Sequence, residues 1–191
     1  MSLLPENPAA SQESGDSEQD MPRLSGWTTA KRSMPFVPGM PQELAKADIP
    51  DLVALEKLCF SVPWSAKQYE TVLGNEPFHL FGLRHGSDLV GYLTLYAAAW
   101  EMEILNIAVH PAHRRLGHAR RMLSHVLHLC RNMGIKRGYL EVRRSNVPAQ
   151  SLYRAYGFEE VGVRRRYYPD NREDAIIMRL DLEAFPPGRD S

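Results

Sequence analysis

Between residues 106 and 121 an apolar strand runs into an amphipathic helix, Asn-Ile-Ala-Val-His-Pro-Ala-His-Arg-Arg-Leu-Gly-His-Ala-Arg-Arg, and that junction commits the chain to an α/β fold. Glu103 to Val109 reads as the strand, closed by His110-Pro111, because proline cannot donate to a sheet ladder. The helix runs from about Leu116 to Met133. Ala119, Met122, Leu123, Val126, Leu129, Cys130 and Met133 recur at helical spacing, with charged and polar residues elsewhere, and Gly134 ends it. A helix N-terminus presents unpaired N–H groups and the positive end of its dipole, so phosphates bind there. Gly117 and Ala119 let the main chain approach a pyrophosphate closely, and Arg114, Arg115, Arg120 and Arg121 add charge. Strand, turn, helix and arginines together point to a phosphate cradle rather than a plain connector.

The flanking segments fill in the sheet. Asp48-Ile49-Pro50 opens a helix with Asp48 as N-cap, and Ser65 caps a second, shorter one that ends near Gly74. Phe78–Leu83 and Leu89–Ala98 read as strands, and a short first strand falls near 41–46. Tyr139–Val142 is a strand, Asn146–Tyr156 a helix capped by Asn146, and 158–166 and 174–182 are the last strands. The order predicts a mixed, mostly antiparallel central sheet with helices on both faces.

Charge is balanced overall, with 23 Lys plus Arg and 23 Asp plus Glu, which excludes a histone-like nucleic-acid coat protein. Locally it is not: residues 109–172 hold 14 basic and 4 acidic side chains, against 4 and 9 in 41–108. A localised anionic ligand accounts for that block better than a uniformly basic surface. Residues 1–38, rich in Ser, Pro, Glu and Asp without a hydrophobic period, are expected to form a disordered N-terminal extension to a domain at 39–191. Two cysteines, Cys59 and Cys130, cannot build a disulfide framework and are expected to be reduced and buried. No stretch approaches the ~20 apolar residues of a membrane span, and the acidic N-terminus is unlike a secretory signal, so a cytoplasmic location is expected.

Arg114-x-x-Gly117-x-Ala119 resembles the acetyl-CoA pyrophosphate loop of the GNAT (Gcn5-related N-acetyltransferase) superfamily. Other pieces follow in family order: Phe60-x-x-Pro63-Trp64-Ser65, Asn106-Ile107-Ala108-Val109, Leu140-Glu141-Val142-Arg143-x-Ser145-Asn146, Leu152-Tyr153-x-x-Tyr156-Gly157-Phe158, Tyr167-Tyr168-Pro169 and Arg172–Met178. The resemblance covers about residues 41–182 and is strongest to the ribosomal-protein-alanine N-acetyltransferases of bacteria. Arg114 stands where Gln is commoner, Ala119 where Gly is commoner, and the loop from Tyr167 to Asp174 is shorter than in the family.

The resemblance implies the GNAT fold and acetyl-CoA as acetyl donor, with no metal. Ile107, Ala108 and Val109 would pair their backbone with the pantetheine arm. Backbone amides of Arg115, Leu116, Gly117, His118, Ala119 and Arg120 would hold the pyrophosphate, and Asn146 would contact the cofactor. Glu141 matches the family's general base and Tyr153 its general acid. From the residues alone, Glu141 is a carboxylate on the strand face opposite Leu140 and Val142, and Tyr153 reads as core packing. The implied substrate is a protein N-terminus, the alanine of small-subunit ribosomal protein eighteen, with broader protein, lysine or small-amine targets or a non-catalytic module as alternatives. Ribosome proximity is implied, and neither DNA nor membrane. An α-amine, with a pKa near ~8 against ~10.4 for lysine, is the easier of the two to deprotonate at neutral pH. His110, His113, His118, His125 and His128 lack Cys or carboxylate neighbours at ligand spacing and are read as solvated or phosphate-adjacent. Arg164-Arg165-Arg166 is read as docking to a ribosomal substrate rather than as an RNA-binding module.

Overall fold

The computed structural model describes residues 39–73 and 77–186. The expected extension 1–38, Gly74 and the last five residues of the expected domain lie outside the described residues.

Strands β1 (Gln42–Glu43), β2 (Phe78–His85), β3 (Asp88–Ala98), β4 (Glu101–Val109), β5 (Arg137–Arg143), β6 (Glu159–Arg164) and β7 (Ala175–Asp181) form one sheet of order β1-β2-β3-β4-β5-β7-β6. Every pair is antiparallel except β4 with β5. The parallel pair requires a crossover, supplied by the helix the sequence marks most clearly, α3 (His118–Asn132). The others are α1 (Ile49–Cys59), α2 (Ala66–Val72) and α4 (Val147–Ala155).

Alternation along the strands divides the apolar residues between two layers. Leu52, Leu55, Tyr69 and Val72 of α1 and α2 pack on Leu80 and Tyr92 from one face. Met122, Leu123, Val126, Leu127 and Cys130 of α3, with Tyr153 of α4, meet Leu93, Met102, Ile104, Leu140 and Met178 on the other. Helices on both faces are therefore observed. At ~25 cal/mol per Å² of apolar surface removed from water, these two layers are the main source of stability.

Two helix starts differ in detail from the sequence reading. Asp48 stands at the N-cap position of α1 as expected, but its side chain accepts nothing from that helix. Asp48 also ends a 3-10 turn (Lys46–Asp48), where its Oδ2 accepts from Ala45 N at 2.8 Å and its Oδ1 from Arg84 at 2.6 Å. The long helix begins at His118, not Leu116, because Gly117 has φ 80° and ψ 3°, a left-handed conformation that a helix cannot contain. Ser65 and Asn146 cap as expected, accepting from Gln68 N at 3.4 Å and Ala149 N at 3.2 Å.

Candidate active site

β4 and β5 share a ladder only from Glu101↔Arg137 to Ile104↔Leu140, although β4 continues to Val109 and β5 to Arg143. The cause lies in β4. Thr94 pairs with Asn106 but Leu95 with Ile104, so Leu105 is an extra residue, a β-bulge that bends the strand where the ladder stops. The bulge also reverses the alternation: Met102 and Ile104 face the α3 core before it, whereas Ile107 and Val109 do so after it and Ala108 joins the α1 layer.

The free stretch of β4 is an exposed sheet edge. His110 N donates to Val90 O at 2.9 Å, which makes Gly91↔Val109 a non-hydrogen-bonded pair. The N–H and C=O of Val109, and of Ile107 two residues back, therefore point into the gap. Val109 O meets Arg114 Nε at 3.2 Å and Cys59 Sγ at 3.5 Å there. Cys59 is half-buried rather than buried as expected, because it ends α1 at this edge; burial pushes its thiol up, against nucleophilic use at neutral pH. Cys130 is fully buried.

At the end of the gap, Arg115 (φ 63°) and Gly117 (φ 80°) turn the loop into α3. No side chain caps that helix, and a Cβ built on Gly117 meets nothing within 4 Å. Arg121 N is the first amide bonded back into the helix, to Gly117 O at 2.9 Å. The start of α3 thus offers an open, uncapped set of N–H groups from Gly117 to Arg120, beside the exposed Arg115 and Arg120. This arrangement fits a pyrophosphate. Asn146 stands across the gap at the start of α4; its Oδ1 is used by the cap, which leaves its amide nitrogen for other partners.

Glu141 lies on β5, on the face opposite Leu140 and Val142, as its alternation implies. It is half-buried and not merely a surface carboxylate: its Oε1 sits 2.9 Å from Arg164 Nε of β6. The Arg164 guanidinium lies 5.3 Å from the Tyr167 ring, and burial together with the Glu141 carboxylate raises the Tyr167 phenol. Arg164 is thus an internal counter-ion, which removes it from the expected docking run. Tyr153 is 4 % exposed, with its ring 5.8 Å from Phe158. Burial, then the neighbouring Tyr168, raises its phenol, so the hydroxyl stays protonated throughout the neutral range. The sequence-derived residues fall in different places. Ile107 and Val109 face the gap, 115–120 lie at its end, Asn146 opens α4 and Glu141 follows the last β4–β5 ladder pair. Ala108, paired with Tyr92, turns its N–H and C=O to β3 and cannot offer the backbone groups expected of it, and Tyr153 is buried in the core between α4 and the sheet.

The histidines divide between two places. His125 packs on Phe81 and His128 on Phe185, whereas His110, His113 and His118 gather near the loop before α3, ring centroids 5.4 and 6.2 Å apart in succession. Among the described residues no group of three or more His, Cys, Asp or Glu side chains is arranged to hold a metal. A separate open groove beside Ser124, His128, Tyr156 and Phe185 is lined by none of the sequence-derived site residues.

Sequence reasoning missed two carboxylates. Glu56, 1 % exposed, accepts from Trp64 N at 2.9 Å, Tyr69 OH at 2.9 Å, Asn106 Nδ2 at 3.0 Å and Tyr92 OH. It thereby ties α1, the loop before α2 and the residue preceding Ile107 together. Its signal was present, because Glu56 follows Leu52 by four residues on the buried stripe. Glu103 of β4 shares a sheet face with Glu141 and pairs with Tyr139, two residues before it, and burial, then the Glu141 charge, raises its carboxyl while Arg164 opposes the shift.

The fold is a mixed sheet whose one parallel pair parts over an uncapped helix N-terminus, an arrangement suited to a phosphate-bearing ligand lying along an open strand edge. The acetyltransferase (GNAT) family model matches residues 49–158, and the chain belongs to that family. It is 36% identical over 141 residues to the [ribosomal protein bS18]-alanine N-acetyltransferase of Escherichia coli strain K12, covering 73% of this chain and 95% of that one. To the N-alpha-acetyltransferase RimI of Mycobacterium tuberculosis it is 37% identical over 144 residues, covering 72% and 89%. The crystal structure of the ribosomal-protein-S18-alanine N-acetyltransferase from Escherichia coli superposes with a TM-score of 0.72 at 32% identity, covering 80% and 98%. The expected family and GNAT fold are thus established, and with them an N-acetyltransferase.

Proposed function

We propose that this enzyme moves acetyl from acetyl-CoA to the α-amine of a protein N-terminus, and that its substrate is the N-terminal alanine of ribosomal protein bS18. The observation that carries the reading is the gap itself. A free β4 edge leads from the uncapped α3 N-terminus back to the end of the β4–β5 ladder, one residue before Glu141, so one elongated acyl carrier can lie along it. The relatives named above for that alanine support the substrate. Acetyl-CoA supplies an activated thioester. Ile107 and Val109 would bind its pantetheine arm through their outward N–H and C=O groups, amides 115–120 its pyrophosphate, and Asn146 through its free amide nitrogen.

Glu141 would take one proton from the incoming α-ammonium and later release it to solvent, and Tyr153 would donate to the departing thiolate and recover the second proton that the nitrogen loses on becoming an amide. Cytoplasmic location near ribosomes follows from this substrate; among the described residues no helix is long and apolar enough to cross a membrane. Residues 1–38 are proposed as an extension dispensable for turnover. The test is incubation with acetyl-CoA and a panel of peptides, read by mass. Acetylation of the bS18 N-terminal peptide well above peptides beginning with other residues, and above internal lysines, is expected. Equal or greater transfer to lysine or to small amines would overturn the assignment.

A further inference from the structure

Glu103 stands in a row that crosses the sheet through the pairs Phe78↔Tyr96, Tyr96↔Glu103, Glu103↔Tyr139 and Tyr139↔Arg179. Paired residues share a face, here the one opposite Met102, Ile104, Leu140 and the α3 layer. Phe78 packs against the α1–α2 layer, whereas Tyr96 and Tyr139 belong to neither layer and are half-buried. Tyr96 leans on Phe78, ring centroids 5.2 Å apart, and Tyr139 OH donates to Glu101 Oε1 at 3.5 Å. Glu103 is half-buried between these two tyrosines and makes no hydrogen bond or ion pair among the described residues. The neighbouring cations are engaged elsewhere: Arg137 meets Glu101 at 3.5 Å, and Arg164 meets Glu141 at 2.9 Å. Arg179 lies beyond Tyr139, two strands and roughly 10 Å from Glu103.

A half-buried carboxylate without a partner is costly, and a cation placed over it removes that cost. Cross-strand neighbours ~5 Å to either side put an aromatic ring within the ~6 Å at which a ring attracts a cation. Position says where the cation comes from. Glu103 and Glu141 share this face, and strands ~4.8 Å apart rising ~3.3 Å per residue set their Cα atoms roughly 8 Å apart. An extended peptide advances about the same ~3.3 Å per residue, so one whose α-amine lies at Glu141 carries its second or third side chain over Glu103. The opposite direction along β5 leads to Arg143, whose guanidinium holds Asp170 and Glu173 and leaves no free carboxylate there. We propose that Glu103, Tyr96 and Tyr139 form a subsite for an arginine or lysine side chain at the second or third residue of the acceptor peptide. The inference rests on the proposed function, in which the α-amine meets Glu141, and it narrows the substrate class to N-termini followed closely by a positive charge.

Steady-state kinetics at saturating acetyl-CoA test this on alanine-starting peptides that differ only at the second and third residues. Those residues are arginine, citrulline or glutamate; citrulline keeps the shape of arginine without its charge. The wild type should favour arginine over citrulline in kcat/KM by roughly tenfold, carried by KM, with glutamate below both. Glu103→Gln should bring the arginine-to-citrulline ratio to within about twofold of one, and Glu103→Asp should keep most of the preference. Tyr96→Leu and Tyr139→Leu should each lower the ratio, whereas Tyr96→Phe retains it. Circular dichroism checks the fold of each variant, and a ratio of two peptides on one variant is not moved by simple loss of folded enzyme. A wild type that does not distinguish arginine from citrulline, or a Glu103→Gln variant that loses both peptides equally, would overturn the subsite. Transfer to none of the peptides defeats the proposed function and the subsite together, whereas transfer without discrimination defeats only the subsite.

Discussion

Glu56→Gln tests whether a buried carboxylate is the fastener between α1 and the gap. The wild-type side chain takes four donors: Oε2 accepts from Trp64 N, and Oε1 from Tyr69 OH, Tyr92 OH and Asn106 Nδ2. Glutamine offers one acceptor oxygen. If that oxygen keeps the three-donor position, the amide nitrogen faces Trp64 N, donor against donor. A buried donor left unpaired costs about 1–3 kcal/mol, and the three remaining bonds lose their charge assistance. Relief of the desolvated charge offsets part of this, leaving a net loss of about 2–4 kcal/mol. At ~2–4 °C per kcal/mol for a domain of this size, the melting temperature falls by roughly 4–16 °C in a thermal scan by circular dichroism. The pH dependence has a definite sign. Burial raises the Glu56 carboxyl above its ordinary value, so its contribution is full below the unfolded value and declines as pH rises through the folded one. The stability gap between wild type and variant therefore widens as pH falls through the raised folded-state value. A variant melting within about 1 °C of wild type, or a gap that narrows in acid, would refute the fastener.

Gly117→Glu places a carboxylate in the cradle and a Cβ at φ 80°, so calorimetry should show acetyl-CoA affinity lost in a folded protein; unchanged affinity defeats the cradle. Glu141→Gln should lower turnover by roughly 10²–10⁴ at neutral pH and recover partly at high pH, where more of the substrate α-amine is neutral. Tyr153→Phe keeps the ring packing and should lower turnover without such recovery, and a pH–rate profile parallel to that of Glu141→Gln would contradict the separate roles. Deleting residues 1–36 should leave melting temperature and turnover on a short peptide nearly unchanged, and a several-fold loss would place that segment in the site.

Local sequence spoke clearly wherever one element decided the outcome. The α3 stripe, the Ser65 and Asn146 caps and the turn at Gly117 were legible because each depends on residues within a few positions of one another. The resemblance, not periodicity, pointed to Glu141 and Tyr153, since an alternating strand or a helical tyrosine carries no mark of its task. What stayed hidden depends on pairing between distant strands. Leu105 is an ordinary apolar residue, and only the β3–β4 register makes it a bulge. Arg164 belonged to an arginine run until β7 brought it over Glu141. Asp48 holds the N-cap position without a cap bond because its oxygens go to Ala45 N and to Arg84, 36 residues away.

On the proposed function, the bulge connects carrier binding with proton transfer. A regular β4 would continue its ladder with β5 beyond Leu140, and the outward groups of Ile107 and Val109 would be consumed by sheet bonds. It would also keep a single alternation along the strand. Asn106 would then point into the α3 core and be lost to Glu56, while Ile107 would point toward α1. One extra residue therefore frees the edge for a carrier and turns Asn106 onto the buried carboxylate. Glu103 lies ahead of the bulge and keeps the face it shares with Glu141, whereas the edge residues lie beyond it. On the proposed function, carrier binding and proton transfer fall on opposite sides of a single irregularity, and a substitution that regularised β4 would damage both without touching Glu141, Tyr153 or the α3 N-terminus.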